Sequence, residues 1–488
     1  MTKVLFVYHN ELEEGFMPAS IAVLSGVMKS MDLESRLFDT SFWRDKNSKI
    51  KENDREIREK TGEFKKVLGF NPDREVVDLK EKFYETVKEY RPDLIAATST
   101  SYEFNSLVNF ILPAKTYFDI PLIVGGSHPT VYPEKAIQKE GVDIICVGEG
   151  EKALAELVKR IEQKKDYTDI PNLWTKNSEG GIIRNKVGVP ILMDDLPEPD
   201  WDIFDERHRI RPFEGELKKY GFFEISRGCP HQCSYCINDK LHKIYREAGI
   251  NSKTYRFYSP EKIVTIMKNY KEKYGFNHIQ LVDENLSVMP IDVLKKLAEL
   301  YKRDVGVDFF AMARPENFVR VPEKAKILAE MGCKMIALGA ESGNEELKKN
   351  ILNRPMKNET LIESAETLRK EGILVSLYNI IGFPTETREM IFDTIRLNRQ
   401  VKPDRYSVRF LVPYPGTAIR DYCIEKGYIE IDYEEKRNVS FLIEPILNLP
   451  SPPHPTKTEL MEIKQNWKNY LEMSDDEFEK VAKKKKLF

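Results

Sequence analysis

The chain has 488 residues, room for about three domains at roughly 150 residues each. Hydrophobic residues make up 41% and charged residues 32%, and 76 Lys and Arg against 79 Asp and Glu leave a net charge of −3. That balance excludes a global basic field for coating nucleic acid; no apolar run reaches the ~18 residues of a membrane span; and six cysteines are too few for a disulfide scaffold. No stable nucleic-acid partner and no transmembrane segment are therefore expected. The opening Met-Thr-Lys-Val-Leu-Phe-Val-Tyr has no charged-then-apolar leader layout, so a cytoplasmic location is expected.

Residues 1–165 alternate between strand and helix patterns. Short apolar runs at Lys3–Tyr8, Ser35–Asp39, Asp93–Thr98, Pro121–Val124 and Asp143–Val147 read as strands. Helical periodicity covers Ser20–Met31, and a helix from Lys152 puts Leu154, Leu157, Val158 and Ile161 on one face. The pattern predicts an α/β fold with a doubly wound, parallel, Rossmann-like sheet. A charged insertion at about 43–91 interrupts it: 15 of the 23 residues from Arg44 to Lys66 are Asp, Glu, Lys or Arg, which predicts a solvated helical hairpin or a flap. In such a sheet ligands sit beyond the carboxyl ends of the strands. Those ends carry Thr98, Ser99 and Thr100, then Gly125, Gly126 and His128, then Gly148, Glu149 and Gly150. Small and polar residues there let a large ligand approach the backbone. No Gly-x-Gly-x-x-Gly follows the first strand, so the dinucleotide pattern is absent.

Residues 166–215 hold Pro171, Pro190, Pro197, Pro199 and Pro212 and read as a linker. Over 216–424 the alternation resumes, with candidate strands Phe222–Ser226, His278–Val282, Asp308–Met312, Met335–Leu338, Leu374–Ile381 and Arg405–Val412 and helices such as Ile291–Lys302 and Thr360–Glu371. These units are too few to close an eight-stranded barrel, so a partial (β/α)6 barrel is expected. Residues 425–488 read as a small, mostly helical segment with a helix at Glu459–Leu471 and a basic tail at Lys483–Lys486. Phe441–Leu449 is a candidate lid. Tyr406, Arg409 and Tyr414, on or just after the sixth strand, are candidate substrate contacts, although Tyr406 and Arg409 have opposite parity on the strand.

The chemistry concentrates in Ser226-Arg-Gly-Cys229-Pro-His-Gln-Cys233-Ser-Tyr-Cys236. Three thiolates spaced Cys-x3-Cys-x2-Cys on one tight loop can bind three irons of a [4Fe-4S] cubane and leave the fourth iron open. A structural zinc site would need a fourth ligand. His231 is the local candidate, badly placed inside the loop. Cys146, Cys333 and Cys423 stand alone and read as small buried hydrophobes.

This segment resembles the signature of the radical S-adenosylmethionine (SAM) superfamily, with Tyr235 as the aromatic residue before the third cysteine. The resemblance continues in order through Leu281-Val-Asp283-Glu284-Asn285, Ala311-Met-Ala-Arg314-Pro, Ala337-Leu-Gly-Ala-Glu341-Ser342-Gly and Ile381-Gly382-Phe383-Pro384-Thr-Glu-Thr387, where Thr385 replaces a glycine. It implies that Cys229, Cys233 and Cys236 hold the cluster. It also implies that Tyr235, Asp283, Glu284, Arg314, Glu341, Ser342 and Gly382 surround S-adenosylmethionine, whose reductive cleavage gives a 5′-deoxyadenosyl radical. An external donor of the flavodoxin or ferredoxin type would supply the electron.

With a doubly wound domain in front, carrying Gly-Gly-x-His-Pro-Thr and Gly-Glu-Gly-Glu, the chain is similar to the cobalamin-binding branch of that superfamily. The resemblance covers roughly residues 1–425. It implies that cobalamin lies against Thr98–Thr100, Gly125, Gly126, His128 and Gly148–Gly150, at the barrel mouth. The activity implied is C-methylation of an unactivated carbon in a small-molecule or lipid substrate, with S-adenosylmethionine as both radical source and methyl donor. The Asp-x-His-x-x-Gly motif that supplies a lower cobalt ligand is absent around His9. Two other readings stay open: a non-methylating relative performing cyclisation, oxidation or carbon–carbon coupling on a lipid or tetrapyrrole, and a plain iron–sulfur electron-transfer or binding protein. A methylthiotransferase is disfavoured, because residues 1–165 hold one cysteine and not three.

Overall fold

The structure, a computed structural model, describes residues 2–11, 17–48, 58–59, 62–63, 74–177, 179–250, 255–433 and 444–483. The buried apolar runs of the first 185 residues become seven strands: β1 (Lys3–Tyr8), β2 (Glu34–Asp39), β3 (Leu94–Thr98), β4 (Leu122–Gly125), β5 (Ile144–Cys146), β6 (Leu173–Lys176) and β7 (Ile182–Arg184). Their order in the sheet is 2-1-3-4-5-6-7. The first five are parallel. The chain steps outward from β1 to β2 and then back across to β3, so the crevice beyond β1 and β3 is the topological switch point where open α/β sheets bind ligands. Helices Ala19–Ser30 and Glu151–Glu162 cover one face, burying Ile21, Val23 and Met28 from the first and Leu154, Leu157 and Val158 from the second.

Part of the expected insertion belongs to this domain. Trp43–Asp45 pairs in parallel with Glu75–Val77. Helix Leu79–Tyr90, capped by Asp78, buries Leu79, Phe83, Val87 and Tyr90 against the sheet. That spacing of three and four residues is an amphipathic stripe hidden behind the charge count. Residues 49–57, 60–61 and 64–73 of the insertion lie outside the described residues, as do 441–443 of the expected lid and 484–486 of the basic tail.

The expected linker is not one. Residues 166–215 supply β6 and β7, which extend the first sheet antiparallel. They also bring Trp201 and Phe204, which sit in one apolar core with Val4, Phe6 and Leu154 of the first domain and Phe222, Phe310 and Met335 of the second. Their prolines mark turns between these short pieces.

The second sheet runs in chain order through β8 (Ile210–Phe213), β9 (Glu216–Phe223), β10 (His278–Leu281), β11 (Asp308–Ala313), β12 (Cys333–Glu341), β13 (Leu374–Ile381) and β14 (Arg405–Phe410). β9 to β14 are parallel, and β8 adds an antiparallel edge. Six parallel strands with helices outside form the expected partial barrel. The expected single helix Glu459–Leu471 is two, Lys457–Gln465 and Trp467–Glu472, broken at Asn466. The Asn466 side chain donates to the Glu462 carbonyl and competes with the helical backbone. Trp467, Tyr470 and Phe478 of this C-terminal segment pack on Ile395, Tyr406 and Phe410 outside β13 and β14. Among the described residues no helix is long and apolar enough to cross a membrane.

Candidate active site

Gly228 has φ +88°, a backbone that residues with a side chain rarely adopt, and turns the chain from β9 into the cysteine loop. Its N–H donates to Glu284 at 3.1 Å. The loop is tied from the far side: Ser234 donates to the Ile351 and Leu352 carbonyls at 2.6 and 3.0 Å, and the Asn353 amide donates to the Gln232 carbonyl at 2.7 Å. Cys236 is the N-cap of helix Ile237–Glu247.

Each of the three thiols meets a side-chain N–H donor. Arg314 Nη1 lies 3.3 Å from Cys233 Sγ, Asn238 Nδ2 3.6 Å from Cys236 Sγ, and Asn285 Nδ2 4.0 Å from Cys229 Sγ. Burial raises the Cys229 thiol and pushes Cys236 up to about 11. Thiolates there need a cation to form, which a metal cluster supplies. Among the described residues no three His, Cys, Asp or Glu side chains converge on a single ion.

Around Cys233 the interior is polar. Tyr235 hydrogen-bonds Glu341, which sits at φ +58° where β12 is irregular. Burial raises Glu341 and Tyr235, against the pull of Arg354 on both. Arg354 is buried, donates to the Gly339 carbonyl at 2.7 Å, and is held charged, despite its burial, by Tyr235, Glu341 and Glu316. Burial would lift Glu316, but Arg314 and Arg354 bring it down to about 2. Paired guanidiniums suit a carboxylate, and Glu341 suits an ammonium or a hydroxyl. This donor set fits an amino-acid cofactor beside the thiols. Tyr235, Arg314 and Glu341 are thus brought together as expected.

The other expected S-adenosylmethionine residues are placed elsewhere. Asp283 faces the loop base, accepting from Ser226 and from the Ile225 N–H at 3.3 Å, and burial lifts it to about 8. Ser342 accepts from the Asn344 N–H at 3.2 Å inside its own turn. Glu284 holds Gly228. Gly382 has φ +82° and lines a separate cavity of about 270 Å³ under Pro445–Leu449. Arg354, Glu316 and Asn238 escaped sequence reading, and Asn285 was named only as part of its motif. Asn238 alone had a local signal, two residues after the third cysteine in the first turn of the helix.

On the other side of the loop lies a cavity of about 380 Å³ between the domains. Thr98, Gly125, Gly126 and Gly148–Glu151 line it from the first sheet, with Ile21, Leu24, Ile123 and Leu154 as its apolar floor. Asn238, Leu241, His242 and Tyr245, one face of the helix after Cys236, form the opposite wall with Arg227 and Glu284. Apolar walls with a glycine rim fit the broad apolar faces and amide-bearing edge of a cobalamin. Ser99, Thr100 and His128 do not line it. Ser99 gives its carbonyl to the His128 N–H, Thr100 donates to Glu103 at 3.1 Å, and His128 is held by Ser101 at 3.0 Å and stacked on Phe104. His9 is also turned into the core, between Thr40 at 3.2 Å and Ser106 at 3.0 Å, and burial lowers it to about 4.

Carboxylates and guanidiniums join the two sides. Arg227 Nη1 lies 2.6 Å from Glu151 and 3.5 Å from Glu149, while its Nε donates to Glu224 at 2.7 Å. Arg256, paired with Arg227 across a short antiparallel bridge, donates to Glu149 and, at 2.9 Å, to the Ile191 carbonyl.

Strand parity separates the expected substrate contacts. Tyr406 points outward into the core with Trp467 and Tyr470. Arg409 has the opposite parity on the strand and pairs with Glu63 at 3.1 Å. The Tyr414 carbonyl closes the turn that ends β14, accepting from the Thr417 hydroxyl at 2.6 Å.

A partial parallel barrel with a three-thiol loop at its mouth defines a radical enzyme of the cluster-dependent class. The Radical SAM superfamily model matches residues 223–397, and the B12 binding domain model matches residues 61–158. The chain belongs to the radical SAM superfamily, in the branch with a B12-binding domain in front of the barrel. It is 24% identical over 347 residues to an uncharacterized methyltransferase of Pyrococcus horikoshii, covering 70% of this chain and 72% of that one. It is 23% identical over 455 residues to the anaerobic magnesium-protoporphyrin IX monomethyl ester cyclase of Rubrivivax gelatinosus, covering 91% and 74%. In fold it is similar to the radical S-adenosylmethionine methyltransferase TsrM of Kitasatospora setae, solved with cobalamin and a [4Fe-4S] cluster bound, at a TM-score of 0.63, 18% identity, and 87% and 78% coverage. The cofactors of the class are a [4Fe-4S] cluster, S-adenosylmethionine and cobalamin.

Proposed function

We propose that this enzyme is a cobalamin-dependent C-methyltransferase acting on an unactivated carbon of a small-molecule or lipid substrate. The observation that carries this reading is one shared wall. Helix Ile237–Glu247 begins at the third cluster cysteine and presents Asn238, Leu241 and Tyr245 to the cavity at the first sheet's edge. A methyl donor in that cavity and a radical generated at the cysteine loop would then meet in the same space.

Bound together, the cluster, S-adenosylmethionine and cobalamin supply a carbon-centred radical and a transferable methyl group. The chain's own residues do the positioning. Cys229, Cys233 and Cys236 would hold three irons, and Arg314, Asn238 and Asn285 would meet the sulfurs. Arg314, Arg354, Glu341 and Tyr235 would hold the amino-acid end of S-adenosylmethionine. Thr98, Gly125, Gly126, Gly148 and Gly150 would receive cobalamin. The unit that binds it runs from residue 1 to about 209, because β6, β7 and Trp201 pack with it. An external flavodoxin- or ferredoxin-type donor supplies the electron.

The test is to reconstitute the protein without oxygen with iron, sulfide and hydroxocobalamin, reduce it, and add methyl-labelled S-adenosylmethionine alone. Formation of both 5′-deoxyadenosine and S-adenosylhomocysteine supports methyl transfer. 5′-Deoxyadenosine alone supports a non-methylating radical enzyme, a reading favoured by the 91% of this chain covered by the Rubrivivax gelatinosus cyclase. Neither product overturns both.

A further inference from the structure

We infer that Glu149 and Glu151 couple the two cofactor sites: they latch the cysteine loop to the cobalamin cavity, so that filling the cavity fixes the loop. The inference rests on the cofactor assignment above.

Glu151 opens helix Glu151–Glu162, and its side chain is only 7% exposed. One oxygen, Oε1, receives Arg227 Nη1 at 2.6 Å from across the domain boundary. Glu149 Oε1 likewise receives Arg256. Arg227 and Arg256 are backbone partners, and Arg227 is two residues before Cys229. Gly228 between them is held by Glu284, another residue of the cavity wall. The loop that carries the first cysteine is therefore gripped by carboxylates of the cobalamin side, through charge-assisted bonds in a largely buried place.

The second oxygens tell the rest. Glu151 Oε2 is buried and makes no hydrogen bond, Glu149 Oε2 has Arg227 Nη1 at 3.5 Å without a hydrogen bond, and both residues line the cavity. A buried carboxylate oxygen left without a donor is costly. The corrin ring carries amide N–H groups that could supply one. A ligand in the cavity would then complete the carboxylates, strengthen their hold on Arg227 and Arg256, and pre-order the loop around Cys229. By linkage, a cavity ligand that orders this loop must tighten S-adenosylmethionine, and the reverse.

The experiment compares S-adenosylmethionine binding by the cluster-loaded, oxidised full chain with and without hydroxocobalamin, using labelled S-adenosylmethionine in equilibrium dialysis. The wild type should bind about fivefold or more tightly when cobalamin is present. Glu151→Gln keeps the shape and an acceptor but loses the charge. Brought to the wild-type iron and cobalt content with excess hydroxocobalamin, it should lose the enhancement, and Glu151→Asp should restore part of it. Glu149→Gln, which leaves the Arg227–Glu151 contact intact, serves if Glu151→Gln fails to load. An enhancement that persists in both Gln variants overturns the latch and points to direct contact between the two cofactors. No enhancement in a cobalt-loaded wild type also overturns it. A wild type that takes up no cobalt overturns the cobalamin assignment itself, and the cobalt count tells the two failures apart.

Discussion

Arg314 Nη1 lies 3.3 Å from Cys233 Sγ, and the backbone N–H of Arg314 donates to the Asn285 side chain at 3.1 Å, so the end of β11 grips the cysteine loop on two sides. Hydrogen bonds to cluster sulfurs favour the reduced, more negative state. Arg314→Met should keep about four irons per chain and shift the cluster's reduction potential to a more negative value. A redox titration followed by electron paramagnetic resonance reads both. An unchanged potential would show that Arg314 does not act on the sulfur.

Glu63 and Arg409 meet at 3.1 Å across 346 positions of chain, with Arg58 as a second partner of Glu63 at 3.4 Å. The Glu63 side chain is 1% exposed, so removing Arg409 leaves a half-paired buried carboxylate. Arg409→Ala should cost about 1–3 kcal/mol. A double-mutant cycle with Glu63→Gln should return a coupling of about 0.5–3 kcal/mol in thermal unfolding. Additive effects would mean that the charged segment does not hold the barrel in solution.

Gly126 and Gly150 both line the cobalamin cavity, yet they should respond differently to alanine. Gly126 has φ +98°, and a Cβ there would lie 2.7 Å from the Ser99 carbonyl. Gly126→Ala should lose about 1–3 kcal/mol of stability. Gly150 has an ordinary φ, and a Cβ there would stand 3.6 Å from Cys146 Sγ, so Gly150→Ala should fold normally and affect only cobalamin uptake. Melting curves and cobalt content of the two variants separate strain from crowding.

Burial lifts Glu386, which accepts from the Gly382 and Phe383 N–H groups, to about 8. An unfolded glutamate titrates near about 4.3. The folded state therefore holds this proton more tightly than the unfolded one. Its contribution is fullest below the unfolded value and is lost as pH rises through about 8, at up to about 1.4 kcal/mol per pH unit. Glu386→Gln should flatten the fall in melting temperature between about pH 5 and about pH 9. A wild-type slope retained in the variant would assign the effect to another group.

What the sequence made legible was local. Most strands of both sheets show as short apolar runs, and the cysteine spacing is confined to one loop. Long-range contacts were not legible. Arg354 reaches Glu341 and Tyr235 from a turn after helix Glu345–Asn350, and nothing in Leu352-Asn-Arg-Pro marks a buried guanidinium. Asp283 and Ser342 lie in the right motifs but spend their oxygens on Ser226 and Asn344. The prolines of 166–215 looked like a linker because β6 and β7 are only four and three residues long. Phe83 and Val87 were masked by the charge around them.

One chain is expected to hold a cluster at the N-terminal end of helix Ile237–Glu247 and a cobalamin against the face of that helix. Metal analysis after anaerobic reconstitution with iron, sulfide and hydroxocobalamin, followed by desalting, tests it most directly. The account predicts about four irons and one cobalt per chain, with iron falling and cobalt staying in Cys233→Ala. Full iron with no retained cobalt would contradict it.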